Sequence, residues 1–324
     1  MTNIHEIRFT GRGARRAIAA ALAASAVAAS ALAGLPHSAR AEGAKSETAA
    51  ARPTALPDIG LALEQARRLP VPERRGAAEE AAAALADLLR SDVPKERREA
   101  IHFLSGEIYH ALGNYERSAE EFRNAAKRGE RGPFADDAAL AEIMSLEAAG
   151  RDNDAAKAWR EWEKKYPQSP LMGEAQLARA WNALRRGATP EAARLLEALV
   201  SRSRWMEKDA RVVLARSTVA YLQERHAEAV AILETAPHGP AATYLRALLF
   251  EAQGQSLKAA AKFQETAERY QHSALRDPAM LAKANIFIAS GAYRSAAEEM
   301  GRVIEKASRP DIKAEAELDR KSVV

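Results

Sequence analysis

Apolar residues recur through most of this chain at intervals of three and four positions, which is the spacing of one face of an α-helix. Alanine is abundant and aromatic residues are few, and alanine is the strongest helix former. The pattern therefore predicts an all-α fold made of two alternating sets of helices. The predicted first helices lie near 59–69, 97–111, 134–149, 171–186, 207–223, 240–252 and 277–290. The predicted second helices lie near 73–90, 115–128, 152–165, 190–203, 226–236, 256–271 and 293–308.

A trio of residues repeats along the chain: a turn residue, a small residue five positions later and a large apolar residue nine positions later. The turn positions are Gly113, Gly150, Gly187, Glu224, Gly254 and Gly291, separated by 37 residues except for one interval of 30. The small positions are Ser118, Ala155, Ala192, Ala229, Ala259 and Ala296, and the large ones are Phe122, Trp159, Leu196, Leu233, Phe263 and Met300. Counting back 37 residues from Gly113 predicts a further turn at Gly76, followed by Ala81 and Leu85. Self-similarity at a fixed period of this length predicts a solenoid.

The spacing has a mechanical reason. A glycine that ends a helix adopts the left-handed conformation without strain, and the small residue then lets the second helix cross close to the first. Seven residues before each turn lies another small residue in five of the six repeats: Gly106, Ala180, Ser217, Ala247 and Ala284, with Ile143 as the exception. Paired small residues predict closely packed antiparallel helix hairpins.

The repeat resembles the tetratricopeptide repeat (TPR). Its first full copy carries Gly106, Tyr109, Gly113, Tyr115, Ser118, Phe122 and Ala125, and the second copy ends with the proline of Tyr166-Pro167. The resemblance implies a right-handed α-α superhelical solenoid over residues 58–318, with about six to seven repeats. The period exceeds the usual TPR length of about 34 residues, and Pro70 and Pro72 disturb the first repeat. The longer period and the 166–170 junction are similar to those of envelope assembly and division-coordinator proteins.

The first 41 residues have the layout of a secretory signal peptide. A basic segment that ends in Arg15-Arg16 precedes an apolar run over 17–35, and Ala39-Arg40-Ala41 fits the cleavage rule. We therefore expect a periplasmic or secreted protein whose mature chain starts near Glu42, with 42–57 as a flexible linker. An uncleaved membrane anchor is the alternative, since 19 apolar residues can just span a bilayer. The arginine pair leaves twin-arginine export open beside general secretion.

The positive charge of the chain belongs to this leader. The net charge is +4, and residues 1–41 hold five arginines against Glu6, so bases and acids balance in the remainder. A nucleic-acid-binding protein needs a basic stripe, and the even mixture of charges argues against one. The absence of cysteine excludes disulfides, thiolate sites and a lipid anchor on cysteine.

Candidate chemistry is sparse. Glu107-x-x-His110 is half of a di-iron motif, but no second copy exists, and surface polar residues are the better interpretation. No His-Glu-x-x-His, phosphate loop or Gly-x-Ser-x-Gly occurs. Trp159 and Trp162 fall on core positions of a second helix. The sequence therefore predicts no catalytic residue, no cofactor and no metal site.

The TPR resemblance implies that the first helices line a concave groove that takes partner peptides. By register, the groove would present Phe103, Glu107, His110, Met144, Glu147, Trp181, Arg185, Arg211, Tyr221, Tyr244, Glu251 and Asn285. Aromatic, methionine and arginine side chains are typical of protein interfaces. The alternative, that several of them only pack against the next repeat, stays open.

Two functions fit this sequence. The first is a periplasmic TPR scaffold that binds a protein or peptide of the cell envelope, without nucleic acid and without a stable membrane span after cleavage. The second is the superhelical region of a truncated soluble lytic transglycosylase, because such enzymes have a Tyr-Pro-x-Ser-Pro-Leu junction similar to Tyr166–Leu171. A new helix is predicted to begin at Ser308–Asp311. Residues 319–324 match a translated sequencing adapter and are predicted to be a non-native tail. No polar capping helix is expected after 293–308.

Export makes the first testable prediction. In a Gram-negative host, signal peptidase should cleave after Ala41, and N-terminal sequencing of the mature protein should begin near Glu42. A mature protein that still begins near Met1 would contradict the prediction.

Overall fold

The computed structural model describes residues 71–91, 93–128, 135–236 and 238–323, and the regular elements in these ranges are all helices. The α-helices are α1 Val71–Arg90, α2 Lys95–Ala111, α3 Tyr115–Arg128, α4 Ala135–Ala148, α5 Asp152–Lys165, α6 Met172–Arg185, α7 Thr189–Arg202, α8 Ala210–Leu222, α9 His226–Glu234, α10 Pro240–Ala252, α11 Ser256–Arg269, α12 Arg276–Ala289, α13 Tyr293–Lys306 and α14 Pro310–Val323. The all-α prediction is confirmed. The predicted signal peptide, linker and 59–69 helix lie outside the described residues.

The predicted helix boundaries agree with the structure within a few residues. The main difference concerns the helix predicted over 207–223. A short 3-10 helix, Arg204–Lys208, precedes α8 there, and α8 begins only at Ala210. The break occurs at Asp209, which is extended and whose carboxylate accepts a hydrogen bond from the Arg211 backbone N–H at 2.8 Å. This is an N-cap, the usual way to satisfy a free donor at a helix start.

The described residues form two compact units, one within 71–175 and one within 176–323, and the boundary falls inside α6. In each unit neighbouring helices pack against one another around several clusters of buried apolar residues. The first unit buries Leu85, Ile101 and Ile108 between α1 and α2. The second has a larger core that runs from α6 to α12.

The two helices of each hairpin approach closely at the predicted small residues. Ser118 Oγ donates to the Gly106 carbonyl at 2.8 Å, and Ser217 Oγ donates to the Ala229 carbonyl at 2.8 Å. A Cβ atom on Gly106 would lie 2.7 Å from the ring of Phe122. All six small residues and all six large residues that follow the turns are buried. The hairpin prediction is therefore confirmed.

Each turn residue is left-handed, as the sequence predicts. The φ angles of Gly113, Gly150, Gly187, Gly254 and Gly291 lie between 72° and 76°. Glu224 has a φ of 63°, and among the described residues it is the one residue with a positive φ that is not glycine. The backbone N–H of the following residue reaches back to a carbonyl five positions earlier, as from Asn114 to Tyr109 at 2.9 Å. These bonds close the helix ends.

The turn predicted at Gly76 is wrong. Gly76 lies inside α1, which is continuous from Val71 to Arg90. A glycine within a helix costs only about 1 kcal/mol relative to alanine, so a correctly spaced glycine need not end a helix. Ala81 and Leu85, predicted from the same trio, are both buried.

A polar helix follows 293–308, so the expectation that none exists there is wrong, whereas the predicted helix start near Pro310 is confirmed. This helix, α14, packs on α12 and α13 through the buried residues Ile312 and Ala316. Asp277 fixes the segment just before this helix. Its Oδ2 atom accepts hydrogen bonds from Ser308 N at 2.6 Å and Arg309 N at 2.9 Å. The predicted non-native tail belongs to the same helix up to Val323. That residues 319–324 are non-native stays a prediction.

Close packing at Ala229 makes a prediction about stability. Ala229→Phe should separate α8 from α9, because Ala229 is fully buried beneath the Ser217 hydroxyl. Overpacking of this kind costs about 1–3 kcal/mol, which thermal melting followed by circular dichroism should detect. Exposed Ala231→Phe in the same helix is the control. Equal melting of both variants and the parent would contradict the packing.

The strained turn at Glu224 predicts a stabilising substitution. Glu224→Gly should raise the free energy of unfolding by about 1 kcal/mol, because the left-handed conformation costs an L-residue about that much more than glycine. Ala231→Gly, at an exposed position in the interior of α9, should instead lower it by about 1 kcal/mol. Chemical denaturation measures both. A destabilised Glu224→Gly variant would show that the side chain contributes more than the strain removes.

Candidate functional site

The first helices of the hairpins, α2, α4, α6, α8, α10 and α12, carry all twelve residues predicted to line a groove. The structure divides these residues by depth. Eight are half-buried and form what we call the first-helix face: Phe103, Glu107, His110, Met144, Arg185, Arg211, Tyr221 and Glu251. Four are buried: Glu147, Trp181, Tyr244 and Asn285.

In the unit within 71–175, the first-helix face is mainly aromatic and apolar. Phe103 meets Phe122 edge to face at a centroid distance of 5.3 Å, and Met144 packs against the local core. His110 lies 5.1 Å from the ring of Tyr115. Burial lowers the pKa of His110, so the neutral imidazole is favoured there.

Glu147 is held from within the same hairpin. Its Oε1 atom accepts a hydrogen bond from Trp159 Nε1 at 2.8 Å. Trp162 Nε1 donates to the Asp136 carbonyl at 2.9 Å. Both tryptophans are buried, which confirms that they belong to the core. Their indole N–H groups work as internal donors that tie the second helix to the first.

In the unit within 176–323, Trp181 and Tyr244 lie too deep to offer contact surface. Trp181 is 2% exposed, and its indole N–H has no hydrogen-bond partner among the described residues. Tyr244 is 5% exposed and meets Phe263 edge to face at 5.2 Å. Asn285 is 8% exposed. The accessible surface here is carried by Arg185, Arg211, Tyr221 and Glu251.

The arginines of this face already have partners. Arg211 forms an ion pair with Asp209, with Nη2 2.8 Å from Oδ2. Arg185 Nη2 donates to Asn182 Oδ1 at 3.3 Å. The side-chain hydrogen bonds and the charge of Arg211 hold the pKa of Asp209 below its usual range, although desolvation opposes them.

Glu251 is the residue of the first-helix face whose pKa departs most from its usual value. Glu251 and Tyr244 are seven residues apart on α10, so they share one side of that helix. Tyr221 is in the last turn of α8, which packs directly against α10. Burial raises the pKa of Glu251 to about 7. Burial also raises the pKa of Tyr244, and the nearby charges of Glu251 and Tyr221 add to the effect.

Two surface features carried no recognisable sequence signal. The first is a cleft of about 240 Å³ between α3, α4 and α5, where Arg123 Nε pairs with Glu142 Oε1 at 2.8 Å beside Trp162 and Tyr166. It depends on neighbouring repeats meeting, which no single-repeat motif records. The second is Trp205 of the 3-10 helix, 72% exposed. Within the described part of the chain, no three His, Asp or Glu residues are arranged to hold a metal ion.

Comparison with known proteins supports the fold. No family model matches the sequence, and no curated protein has significant similarity to it. Solved structures do match, and the three named below are each less than 25% identical to this chain. They include a tetratricopeptide repeat protein from Parabacteroides merdae, with 18% identity over 69% of this chain and 84% of that one and a TM-score of 0.49.

Two further structures have higher TM-scores. The APC/C hetero-tetramer Cut9–Hcn1 has 11% identity over 83% of this chain and 52% of that one, with a TM-score of 0.54. Yeast Tom70 has 11% identity over 86% of this chain and 66% of that one, with a TM-score of 0.52. The chain has the helix-hairpin repeat fold of tetratricopeptide proteins. Among the described helices, none is long and apolar enough to cross a bilayer.

The raised pKa of Glu251 predicts a pH-dependent stability difference. Between pH 4.5 and 7 the unfolded chain gives up this proton first, so the stability contributed by neutral Glu251 is lost as pH rises. Glu251→Gln stays neutral and should therefore gain stability relative to the parent from pH 5 to pH 8. With a discount for partial exposure, the relative gain should be about 1–2 kcal/mol. Urea denaturation at both pH values measures it.

Exposed Glu268→Gln provides the control for this comparison. It should show the same difference from the parent at both pH values. A Glu251→Gln variant that behaves in this way too would mean that the carboxylate is well solvated.

Proposed function

We propose that this protein is an exported scaffold of the cell envelope that binds a protein or peptide partner along its first helices. The observation that carries the proposal is the repeated hairpin, which presents a first-helix face of half-buried Phe103, Met144 and Tyr221 among charged side chains. Aromatic, methionine and arginine side chains are enriched at the centres of protein interfaces. Repeats of this kind bury their own core between neighbours and leave an extended surface for recognition.

An extended partner suits this surface better than a small molecule. Small-molecule sites are usually concave pockets of about 300–1,000 Å³. The cleft between α3, α4 and α5 is smaller, at about 240 Å³, and its lining includes none of the eight residues of the first-helix face. The first-helix residues instead come from a separate helix in each repeat, so they offer a series of small contact points and no single enclosed pocket. Such a series of contact points favours a protein or peptide partner over a small molecule.

The envelope location rests on the sequence. The leader over 1–41 has the order of a basic segment, an apolar run and a cleavage site, and the remaining chain has balanced charges and no cysteine. These features support an exported chain that carries no broad basic surface. The periplasm would place the partner among envelope proteins.

Site-specific photo-crosslinking in a Gram-negative source organism tests the proposal. A photoreactive phenylalanine analogue at position 103, 144 or 221 should crosslink to one and the same partner, identified by mass spectrometry. The analogue at Trp205 or Leu257, both exposed and outside the first helices, is the matched control and should not capture that partner. Crosslinks from the control positions alone, or none from any position, would contradict the proposal.

A substitution series separates binding from folding. Tyr221→Ala should reduce capture and leave the helical signal intact, because Tyr221 is only half-buried. Trp181→Ala should instead lower stability by about 3–5 kcal/mol, as expected for a buried tryptophan. Unfolding of Tyr221→Ala would remove Tyr221 from the binding surface.

A further inference from the structure

Trp205 is far more exposed than the other tryptophans of the chain. It is 72% exposed, whereas Trp159, Trp162 and Trp181 are at most 4% exposed. It lies on the 3-10 helix Arg204–Lys208, between α7 and α8. A single exposed apolar side chain is ordinary in a folded protein. The case for a site therefore depends on what surrounds this ring.

The segment that carries Trp205 is held in place by the core and by its own backbone. Met206, the next residue, is fully buried in the core of the second unit. Its backbone N–H donates to the Ser203 carbonyl at 2.9 Å, and its carbonyl accepts from the Asp209 N–H at 2.9 Å. Because this backbone is already ordered, a ligand that meets Trp205 does not have to order it, which favours binding.

The acidic residues around Trp205 are compensated by arginines. The 3-10 helix packs against α7 and α8, and residues 189–222, which make up these three elements and their junctions, contain four acids. Three of the four are paired: Glu191 with Arg186 at 3.2 Å, Asp209 with Arg211 at 2.8 Å and Glu207 with Arg216 at 3.7 Å. The fourth, Glu197, is balanced by the exposed Arg194 three positions before it on α7.

Three bases beside Trp205 have no such compensation. Arg202, Arg204 and Lys208 are exposed, and none of them pairs with an acid among the described residues. Side chains three residues apart eclipse each other in a 3-10 helix, so Lys208 lies on the same side as Trp205. An exposed indole ring therefore has three uncompensated positive charges within three positions of it along the chain.

This combination suits the surface of an anionic membrane. Tryptophan rings concentrate at the headgroup level of bilayers, and anionic headgroups attract lysine and arginine. A protein partner would need a wider apolar contact, because a hot-spot residue lies within a ring of packed neighbours. The other large apolar side chains that are exposed in the described residues, Leu257, Tyr293 and Leu318, lie on α11, α13 and α14. The 3-10 helix thus offers one ring among charges and no apolar patch.

We propose that the Trp205 segment, residues 202–208, is a peripheral membrane contact. The indole ring enters the headgroup layer, and Arg202, Arg204 and Lys208 bind anionic phospholipid headgroups. Each base near an anionic surface raises the affinity about fivefold, so one ring and three bases give a reversible contact and not a permanent anchor. None of these residues belongs to the first-helix face, so the inference goes beyond the proposed scaffold function, and a membrane and a partner are bound through different residues.

Unilamellar vesicles with brominated acyl chains test the contact in the mature protein. Vesicles of equal parts phosphatidylglycerol and phosphatidylcholine should quench tryptophan fluorescence at about 0.1 M salt, where the Debye length is about 10 Å. Because the other three tryptophans are buried, the quenched emission is that of Trp205. Brominated vesicles of phosphatidylcholine alone should quench much less, since they carry no net charge.

Charge-matched substitutions locate the contact. Arg204→Gln and Lys208→Gln should each weaken binding to the anionic vesicles about fivefold in a sedimentation assay. Arg160→Gln removes the same charge from an exposed arginine of α5 and should bind like the parent. Trp205→Ala should also weaken binding, whereas Leu257→Ala, at a position 84% exposed, should not.

The outcomes separate the membrane contact from its alternatives. Absence of quenching by anionic vesicles in the unsubstituted protein would overturn the contact, whatever the variants do. Equal affinities of Arg160→Gln and Arg204→Gln would show that the bases beside Trp205 contribute nothing specific, and would overturn it as well. Aromatic rings among bases also bind single-stranded nucleic acid, so quenching by a single-stranded oligonucleotide without vesicle binding would assign the segment to that ligand instead. Crosslinking from positions 103, 144 and 221 tests the scaffold separately, so the failure of one proposal is distinguishable from the failure of the other.

Discussion

The close approach of the two helices in each hairpin is the constraint on which the rest of this structure depends. At Gly106 the approach is so tight that a methyl group would lie 2.7 Å from the Phe122 ring. The same contact in another hairpin lets Ser217 Oγ reach the Ala229 carbonyl at 2.8 Å. With the backbones this near, the next inward position must carry a large side chain to fill the widening gap. The small-then-large order of each repeat follows from that geometry.

Such an approach needs a short turn between the helices, and the turn needs a left-handed residue. Five of the six turns use glycine and one uses Glu224, which holds the same conformation at a φ of 63°. The packing on either side of Glu224, at Ser217 and Ala229, is as tight as in the other hairpins. Tertiary packing therefore imposes the turn geometry even where the residue disfavours it, and a departure from glycine did not prevent a correct prediction.

Most of the fold could be predicted because each repeat checks the others. The repeated trio of turn, small and large residues predicted the boundaries of α2–α13 within a few residues. A helix boundary misplaced in one repeat would break the spacing that the other repeats share. Gly76 was placed by the period alone, because position 69 is a leucine and not the small residue that marks five of the six other repeats, and Gly76 lies within α1. The candidate site was less predictable. The helical register tells on which side of a helix a residue lies, but it does not tell how deeply neighbouring helices bury that residue. Trp181 and Tyr221 point along the same predicted face, yet one is buried and the other half-exposed. Only the arrangement of neighbouring helices decides that depth.

The position three residues before each turn shows how a fixed scaffold can vary its chemistry. The backbone carbonyls of His110, Glu147, Tyr221 and Glu251 accept a hydrogen bond from their turn residues at 2.9–3.1 Å. The fold therefore uses the backbone carbonyl of this residue, and the side chain can differ from one repeat to the next. Where that side chain is charged and partly buried, it needs a donor from its own hairpin or from outside. Trp159 supplies the internal donor for Glu147, and Phe263 cannot do so for Glu251. The same backbone position thus carries a carboxylate with an indole donor in one hairpin and a carboxylate without that donor in another.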